Sequence, residues 1–317
     1  MSGGKKKRKR RGPGPGGSAS RPAVRKPEPS RRRPSSMLGS LFGGRSAGGS
    51  SPLPPMGGSL ARGFLTVGSQ PALLLFPFLV VGAWWLGLIA LGMQASPGRI
   101  VNVLALPPVA TYFDLSNGAA IGGLGTGGIL YGFGFIVVRS VVTGALAGMV
   151  VEAFETGHVG ILGVVRGLRI SHVMFAINAL SIFLILTATI FLQLLGPGLS
   201  FLGFVVALGG GVFFFSFVPA AAIREGRRLN ETLRRAGRAA AIPGGRHVLM
   251  VMLYFLISLP IANTFVPGAS GISANPTVAT WVFGLLMTYV NVAFLAAFSY
   301  RWMVAEPNVP DQPLRRR

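Results

Sequence analysis

The sequence predicts an all-α, polytopic membrane protein with six transmembrane helices and a disordered, basic N-terminal tail. Half of its 317 residues are hydrophobic, only 12% are charged, and the mean hydropathy is +0.58. Soluble proteins average about one quarter charged residues. Six apolar stretches follow one another along the chain, each close to the roughly 20 residues that a helix needs to cross a bilayer. Lipid is therefore the expected solvent of this fold.

Residues 1–62 form the predicted tail. They carry 15 Lys and Arg against one acid, and are otherwise rich in Gly, Pro and Ser. A segment with so little to bury cannot offset its ordering entropy, so we expect disorder. The run KKKRKRR at 5–11 also suits nucleic acid, but it lacks the interleaved aromatic side chains that stack on bases. Anionic lipid headgroups are the expected partner of this tail, and nucleic acid is the disfavoured one.

The transmembrane domain is predicted at 63–303, and a short tail follows at 304–317. Each apolar stretch must be helical, because unpaired backbone groups are prohibitively costly in lipid. Gly196-Pro197-Gly198 predicts a tight turn between the third and fourth spans. The six predicted spans are 72–93, 127–151, 172–195, 199–222, 247–266 and 277–300.

The distribution of arginine predicts the orientation of these spans in a cell membrane. Lys and Arg concentrate in the connections on the cytoplasmic side. With the N-terminal tail inside, nearly every arginine of the connections lies inside, and only Arg99 lies outside. Both termini are therefore predicted to be cytoplasmic.

Two of the cytoplasmic connections, residues 152–171 and 223–246, have the same pattern. Each is an Arg-bearing amphipathic segment, here called an elbow, and each leads into a span that opens with His-Val, at His172 and His247. The first elbow has an apolar stripe at Ile161, Val165 and Leu168, and we expect both elbows to lie apolar face down in the inner interface. The pattern also suggests a parallel repeat of two spans and an elbow. The stripe of the second elbow is Leu229, Leu233, Ala236 and Ala240, and its basic residues are Arg224, Arg227, Arg228, Arg234, Arg235 and Arg238.

Residues 152–266 contain a span, a short acidic-then-basic amphipathic elbow with the sequence EGRRLNETLRRAGR, and a further span. This arrangement resembles a broad group of six-helix bacterial membrane proteins, mostly of unknown function. That group is related to the membrane domain found beside some glycerophosphodiester phosphodiesterases. The phosphodiesterase domain itself has no counterpart in this chain, so the resemblance implies a membrane bundle and transfers no catalytic residue.

Arg139 is the most unusual residue of the predicted spans. A charge at mid-span is costly and usually marks a pathway or a counter-ion. If the second span is 127–151, Arg139 lies at its centre and forms a polar site with Asn178 and Asn291. If the span is instead 119–138, Arg139 anchors the inner interface and 142–170 is one surface segment. Both frames fit the sequence.

No constellation for catalysis, metal or cofactor binding is evident. The chain has no cysteine, and the glutamates of the elbows show no metal-ligand spacing with its histidines. Gly123-x-Gly125-x-x-Gly128 matches a dinucleotide fingerprint formally, but it opens a membrane helix instead of following a strand. Close packing is the expected use of the glycine pairs, Gly144 and Gly148 among them. His172 and His247 are expected to be interfacial caps.

These observations favour a non-enzymatic accessory or scaffold protein of the membrane. Its elbows and tail would engage lipid or a protein partner. The alternative is a small-solute transporter or channel-like permease, with a path near Arg139, Asn178 and Asn291. An enzyme is the least favoured class.

Overall fold

The computed structural model describes residues 53–90, 126–225, 228–242, 246–264 and 278–309. Within these ranges the regular structure is helical throughout, and no strand occurs. In chain order the helices are α1 (Met56–Ser69), α2 (Ala72–Ala90), α3 (Thr126–Thr156), α4 (Ile161–Arg169), α5 (Ser171–Gln193), α6 (Pro197–Phe215), α7 (Val218–Glu225), α8 (Leu229–Ala240), α9 (His247–Thr264) and α10 (Val278–Ala305), followed by the 3-10 turn Glu306–Asn308.

The predicted all-α fold is confirmed, and each of the six predicted apolar stretches contains a helix. Within the described residues, two segments are long and apolar enough to cross a membrane: Ile136–Thr156 of α3, and Pro197–Arg224, which joins α6 and α7. The number rises to four if each bent pair is one span. These pairs are α1 with α2, bent by 75°, and α4 with α5, bent by 54°. Six spans stay a prediction.

Helix α1 corrects the predicted extent of the disordered tail. Residues 53–62 are structured, because Leu53 and Ser59 are buried and Met56 begins the helix. Residues 1–52 lie outside the described ranges. The Gly and Ser residues of this segment are typical of a linker in the sequence, but Ser59 and Gly63 belong to the buried face of α1. The boundary at residue 62 is therefore wrong.

Helix α1 packs closely along α10 through small residues. An added Cβ at Gly63 would lie 2.9 Å from both the backbone nitrogen and the Cβ of Ala297, which is well inside ordinary contact distance. Hydrogen bonds secure both ends of the contact. Arg301 donates to the carbonyl of Pro54 at 2.8 Å, and the Tyr289 hydroxyl donates to the carbonyl of Phe64 at 3.1 Å.

Helix α3 runs without interruption past the position where one sequence frame ended the second span. Every residue from 142 to 153 is buried. The helix ends only at Thr156, and a short connection leads from there to α4. The single surface segment that the alternative frame required at 142–170 is therefore not formed, because residues 142–153 are part of the protein core.

A four-glycine contact fixes the first elbow, α4, against α3. Gly163 and Gly167 of α4 face Gly144 and Gly148 of α3, and the backbones nearly touch. An added Cβ at Gly144 would lie 2.7 Å from the carbonyl oxygen of Gly167. The expected packing role of Gly144 and Gly148 is confirmed. The sequence pattern predicted close helix packing without indicating the partner helix. In the structure that partner is the short elbow helix α4.

Candidate functional site

The candidate site is an ion-pair network at the end of α3, where α4, α7 and the 3-10 turn meet. Glu155 accepts from Arg166 at 3.0 Å through one carboxylate oxygen and from Arg224 at 2.7 Å through the other. Arg224 also contacts Glu306 through its Nε at 2.6 Å. The neighbouring segments α3 and α4 are thus joined to two distant ones, α7 and the 3-10 turn, through two acids and two arginines.

The network borders an open cavity of about 420 Å³, here called the charged cleft. A third arginine, Arg169, lines the cleft and is exposed. Its side chain forms no ion pair within the part of the chain that the structure describes. The lining therefore has an excess of one positive charge. The residues that line the cleft are Glu155, Arg166, Arg169, Ile170, Ala222, Ile223, Arg224 and Glu306.

Glu152 holds the beginning of α4 in place beside the cleft. The residue is only 5% exposed, and one of its carboxylate oxygens accepts from the backbone N–H groups of Gly160 at 2.9 Å and Gly163 at 2.8 Å. These are unsatisfied donors at the start of a helix, where the helix dipole also favours a negative charge. The carboxylate therefore acts as the N-cap that the adjacent Gly160 cannot supply.

The apolar stripe of α4 faces away from the protein. Ile161 is 83% exposed, Leu168 46% and Val165 40%, and the neighbouring Leu162 is 51% exposed. The glycine face of the same helix is buried against α3. Because a stripe of large apolar side chains is costly in water, this helix presents a surface suited to lipid.

The second elbow, α8, differs from this arrangement and corrects the expectation for it. Ala236 and Ala240 are buried in the main core, and Leu229 and Leu233 pack against that core. The stripe of α8 therefore contacts protein, and the prediction that it lies apolar face down in the interface is wrong. An amphipathic pattern predicts an apolar contact but does not specify lipid or protein as the partner.

The basic residues of the second elbow occupy different environments. Arg224 belongs to the ion-pair network. Arg228 pairs with Glu231 at 3.2 Å on the surface, and Arg234 is exposed. Arg235 and Arg238 are partly buried, and Arg227 lies outside the described residues. The five described arginines therefore do not form a single basic surface.

The three residues of the predicted intramembrane site are all buried. Arg139 is 1% exposed, Asn178 0% and Asn291 2%. The Asn178 amide donates to the Ser140 hydroxyl at 2.9 Å, and Ser140 donates to the carbonyl of Ile136 at 2.6 Å. The structure thus links Asn178 on α5 to the residue that follows Arg139 on α3.

His247 is not an interfacial cap, which corrects that prediction. It is 3% exposed and stacks on Phe217 with ring centroids 4.4 Å apart. Its Nε2 lies 3.0 Å from the carbonyl oxygen of Phe213 and 3.3 Å from the Ser216 hydroxyl. The imidazole thus joins the beginning of α9 to the end of α6. His172, by contrast, is exposed at the start of α5.

The charged cleft was not predicted from the sequence, although one signal for it is present. Acids are rare in this chain, and Glu155 and Glu306 each follow an apolar helix core on the side assigned to the cytoplasm. Comparisons of the chain with protein-family models, with curated proteins and with solved structures find no match.

Proposed function

We propose that this chain is a non-enzymatic integral membrane protein, an accessory or scaffold element that engages the inner leaflet through its first elbow. In this proposal six helices cross the cell membrane, and both termini are cytoplasmic. The charged cleft then lies at the cytoplasmic surface, and α4 lies beside it at the boundary between headgroups and acyl chains. The arginine distribution and the six apolar helices support this arrangement.

The exposed apolar stripe of α4 is the observation that carries the proposal. A helix with three or four large exposed apolar side chains is stabilised when these side chains are removed from water. Arginines on its flank can contact lipid headgroups while the apolar side chains contact acyl chains. The helix is also rigidly attached, through the glycine contact with α3 and the cap from Glu152. A rigid interfacial helix can position a partner or the bilayer itself relative to the bundle.

The use of the elbow glutamates supports a non-enzymatic role. Glu152 is occupied as a helix cap, and Glu155 is paired with two arginines. A general base must instead be within reach of a substrate proton, with a pKa suited to proton transfer. Turnover of a phosphodiester or lipid by the purified protein, lost on substitution of either glutamate, would contradict this part of the proposal.

Site-directed spin labelling tests the position of α4. The chain has no cysteine, so Val165→Cys can be labelled uniquely and reconstituted in vesicles. We expect its accessibility to oxygen to exceed that to a water-soluble nickel reagent. Arg234→Cys on α8 is the matched control and should give the opposite order. A Val165 label that is as accessible to nickel as the control would refute the interfacial position.

The same absence of cysteine allows a test of topology. Single cysteines at Gly198, in the turn after α5, and at His158, in the turn after α3, should react with a membrane-impermeant reagent from opposite sides. Gly198 should react from outside and His158 only after the membrane is opened. Reaction of both sites from one side would contradict the proposed orientation.

A second candidate function, transport of a small solute, is supported by the burial of Arg139 beside the Ser140–Asn178 hydrogen bond. Buried ionisable groups in membrane helices commonly line pathways. Flux of a solute into reconstituted vesicles that is lost in Arg139→Ala, while Arg234→Ala retains it, would favour this function. Retained flux in Arg139→Ala would count against that path.

A further inference from the structure

We infer that the charged cleft binds the phosphodiester of an anionic glycerophospholipid headgroup. The inference deepens the proposed function and rests on it in one respect, because α4 must lie at the inner membrane surface for a lipid to reach the cleft. The ligand class follows from the charge, size and surroundings of the cleft.

The charge of the cleft fits a single negative ligand charge. Both oxygens of Glu155 are engaged by arginines, and Arg224 lies between Glu155 and Glu306. The two acids thus balance two of the three arginines. Arg169, the third, lines the cleft and is exposed. A phosphodiester with one negative charge matches the remaining positive charge, and guanidinium groups bind phosphate oxygens in a two-point geometry.

The size of the cleft fits a headgroup. Its volume of about 420 Å³ lies within the range of small-molecule sites. The lining combines the arginines with the apolar side chains Ile170, Ala222 and Ile223. A bare ion would leave most of this space unfilled, whereas a glycerol-bearing headgroup would occupy it.

The apolar stripe of α4 distinguishes a lipid from a soluble phosphate. Arg166 follows Val165 and Arg169 follows Leu168, so both arginines lie on the flank of the exposed stripe. A lipid with its phosphate at Arg169 can place its acyl chains along Val165 and Leu168. Inorganic phosphate gains nothing from these side chains. Arg169 and the apolar stripe lie on one helix, and a lipid carries a phosphate and acyl chains in one molecule.

The cleft is also preorganised. Glu152 fixes the beginning of α4, and the glycine contact prevents it from moving away from α3. Glu155 and Arg224 connect α3 to α7 across the cleft. Binding therefore does not have to order these elements, which preserves affinity.

Titration of the purified full-length protein in neutral detergent tests the inference. The probe is a short-chain phosphatidylglycerol, and the comparisons are phosphatidylcholine of the same chain length and inorganic phosphate. We expect phosphatidylglycerol to bind most tightly. Arg169→Gln should weaken this binding about tenfold, the effect of losing one charge-assisted contact at a partly exposed site. Arg234→Gln removes the same charge from outside the cleft and should leave the affinity within about twofold.

Three results would overturn the inference. The first is an Arg169→Gln variant that binds the lipid as tightly as the unaltered protein does, and the second is an Arg234→Gln variant with the same loss as Arg169→Gln. Inorganic phosphate that binds as tightly as phosphatidylglycerol would assign the cleft to a soluble anion. The spin label at Val165 separates the two proposals. A lipid-immersed label with no effect of Arg169→Gln refutes only the cleft inference. A water-exposed label refutes the interfacial position and, with it, the access of a membrane lipid to the cleft, even where Arg169-dependent binding is seen in detergent.

Discussion

Gly148→Ala should destabilise the protein, although alanine is the better helix former. An added Cβ at Gly148 would lie 2.7 Å from the backbone nitrogen of Gly167 and would also collide with the carbonyl oxygen of Gly163. Ordinary contacts lie at 3.4–4 Å, so α3 and α4 must separate by about 1 Å. Such overpacking costs about 1–3 kcal/mol.

The separation also affects the cap of α4. The Glu152–Gly163 hydrogen bond is 2.8 Å long, and a shift of about 1 Å would take it beyond bonding distance. Its loss adds about 1.5–3 kcal/mol if complete. The gain in helix propensity offsets about 1 kcal/mol. We therefore expect Gly148→Ala to lower the free energy of unfolding by about 2 kcal/mol after partial relaxation.

Gly82→Ala in α2 is the matched control, because an added Cβ there meets no atom within 4 Å. It should leave stability unchanged or raise it by about 0.5–1 kcal/mol. The assay is unfolding by titration of a denaturing detergent into micelles, followed by tryptophan fluorescence. If Gly148→Ala is as stable as Gly82→Ala, the four-glycine contact is not as close as described and the reasoning fails.

Three further predictions follow from named contacts. Glu152→Gln, which keeps the shape of the side chain and removes its charge, should lower stability by about 1–2 kcal/mol in the same assay, whereas the exposed His158→Gln should have no measurable effect. Deletion of 1–52 should leave the melting temperature unchanged, whereas deletion of 1–62 should lower it. The second deletion removes the first half of α1 and its contacts with α10. Equal melting temperatures for the two deletions would favour the original boundary of the tail at residue 62. Asn178→Val should cost about 1–3 kcal/mol by leaving the Ser140 hydroxyl without its donor, and an unchanged unfolding midpoint would show that this bond contributes nothing.

Helix positions were predictable from the sequence because the apolar runs are long, and in lipid a helix satisfies its backbone hydrogen bonds within one segment. The extent of the tail was not predictable in the same way. Composition describes Gly58, Ser59 and Gly63 as linker residues, yet Ser59 is buried and Gly63 lets α1 approach α10 closely. A small residue at every fourth position is a packing signal as well as a mark of flexibility.

The charged cleft shows a different limit of the sequence. The number of arginines in each connection predicts the side of the membrane on which they lie, but it does not predict which acid each arginine pairs with. Glu155 and Arg224 are 69 positions apart, and Glu306 lies near the other end of the chain. Only the packing of α3, α7 and α10 brings their charges together. The long-range ion pairs that build the cleft are therefore a property of the fold, whereas the excess of arginine is a property of the sequence.

The two elbows show why similar patterns lead to different surfaces. The first elbow, α4, lies between the long helices α3 and α5, whereas the short helix α7 separates the second elbow, α8, from α6. The parallel repeat stays a prediction. The stripe of α8 ends in Ala236 and Ala240, whose short side chains fit into a protein core. The stripe of α4 consists of large side chains, and its close-packing face is glycine instead. The size of the residues, more than their periodicity, determines which face of each elbow packs against protein. The two elbows therefore differ in their surroundings, and within the described residues it is the first elbow that combines an outward apolar stripe with arginines at a cleft.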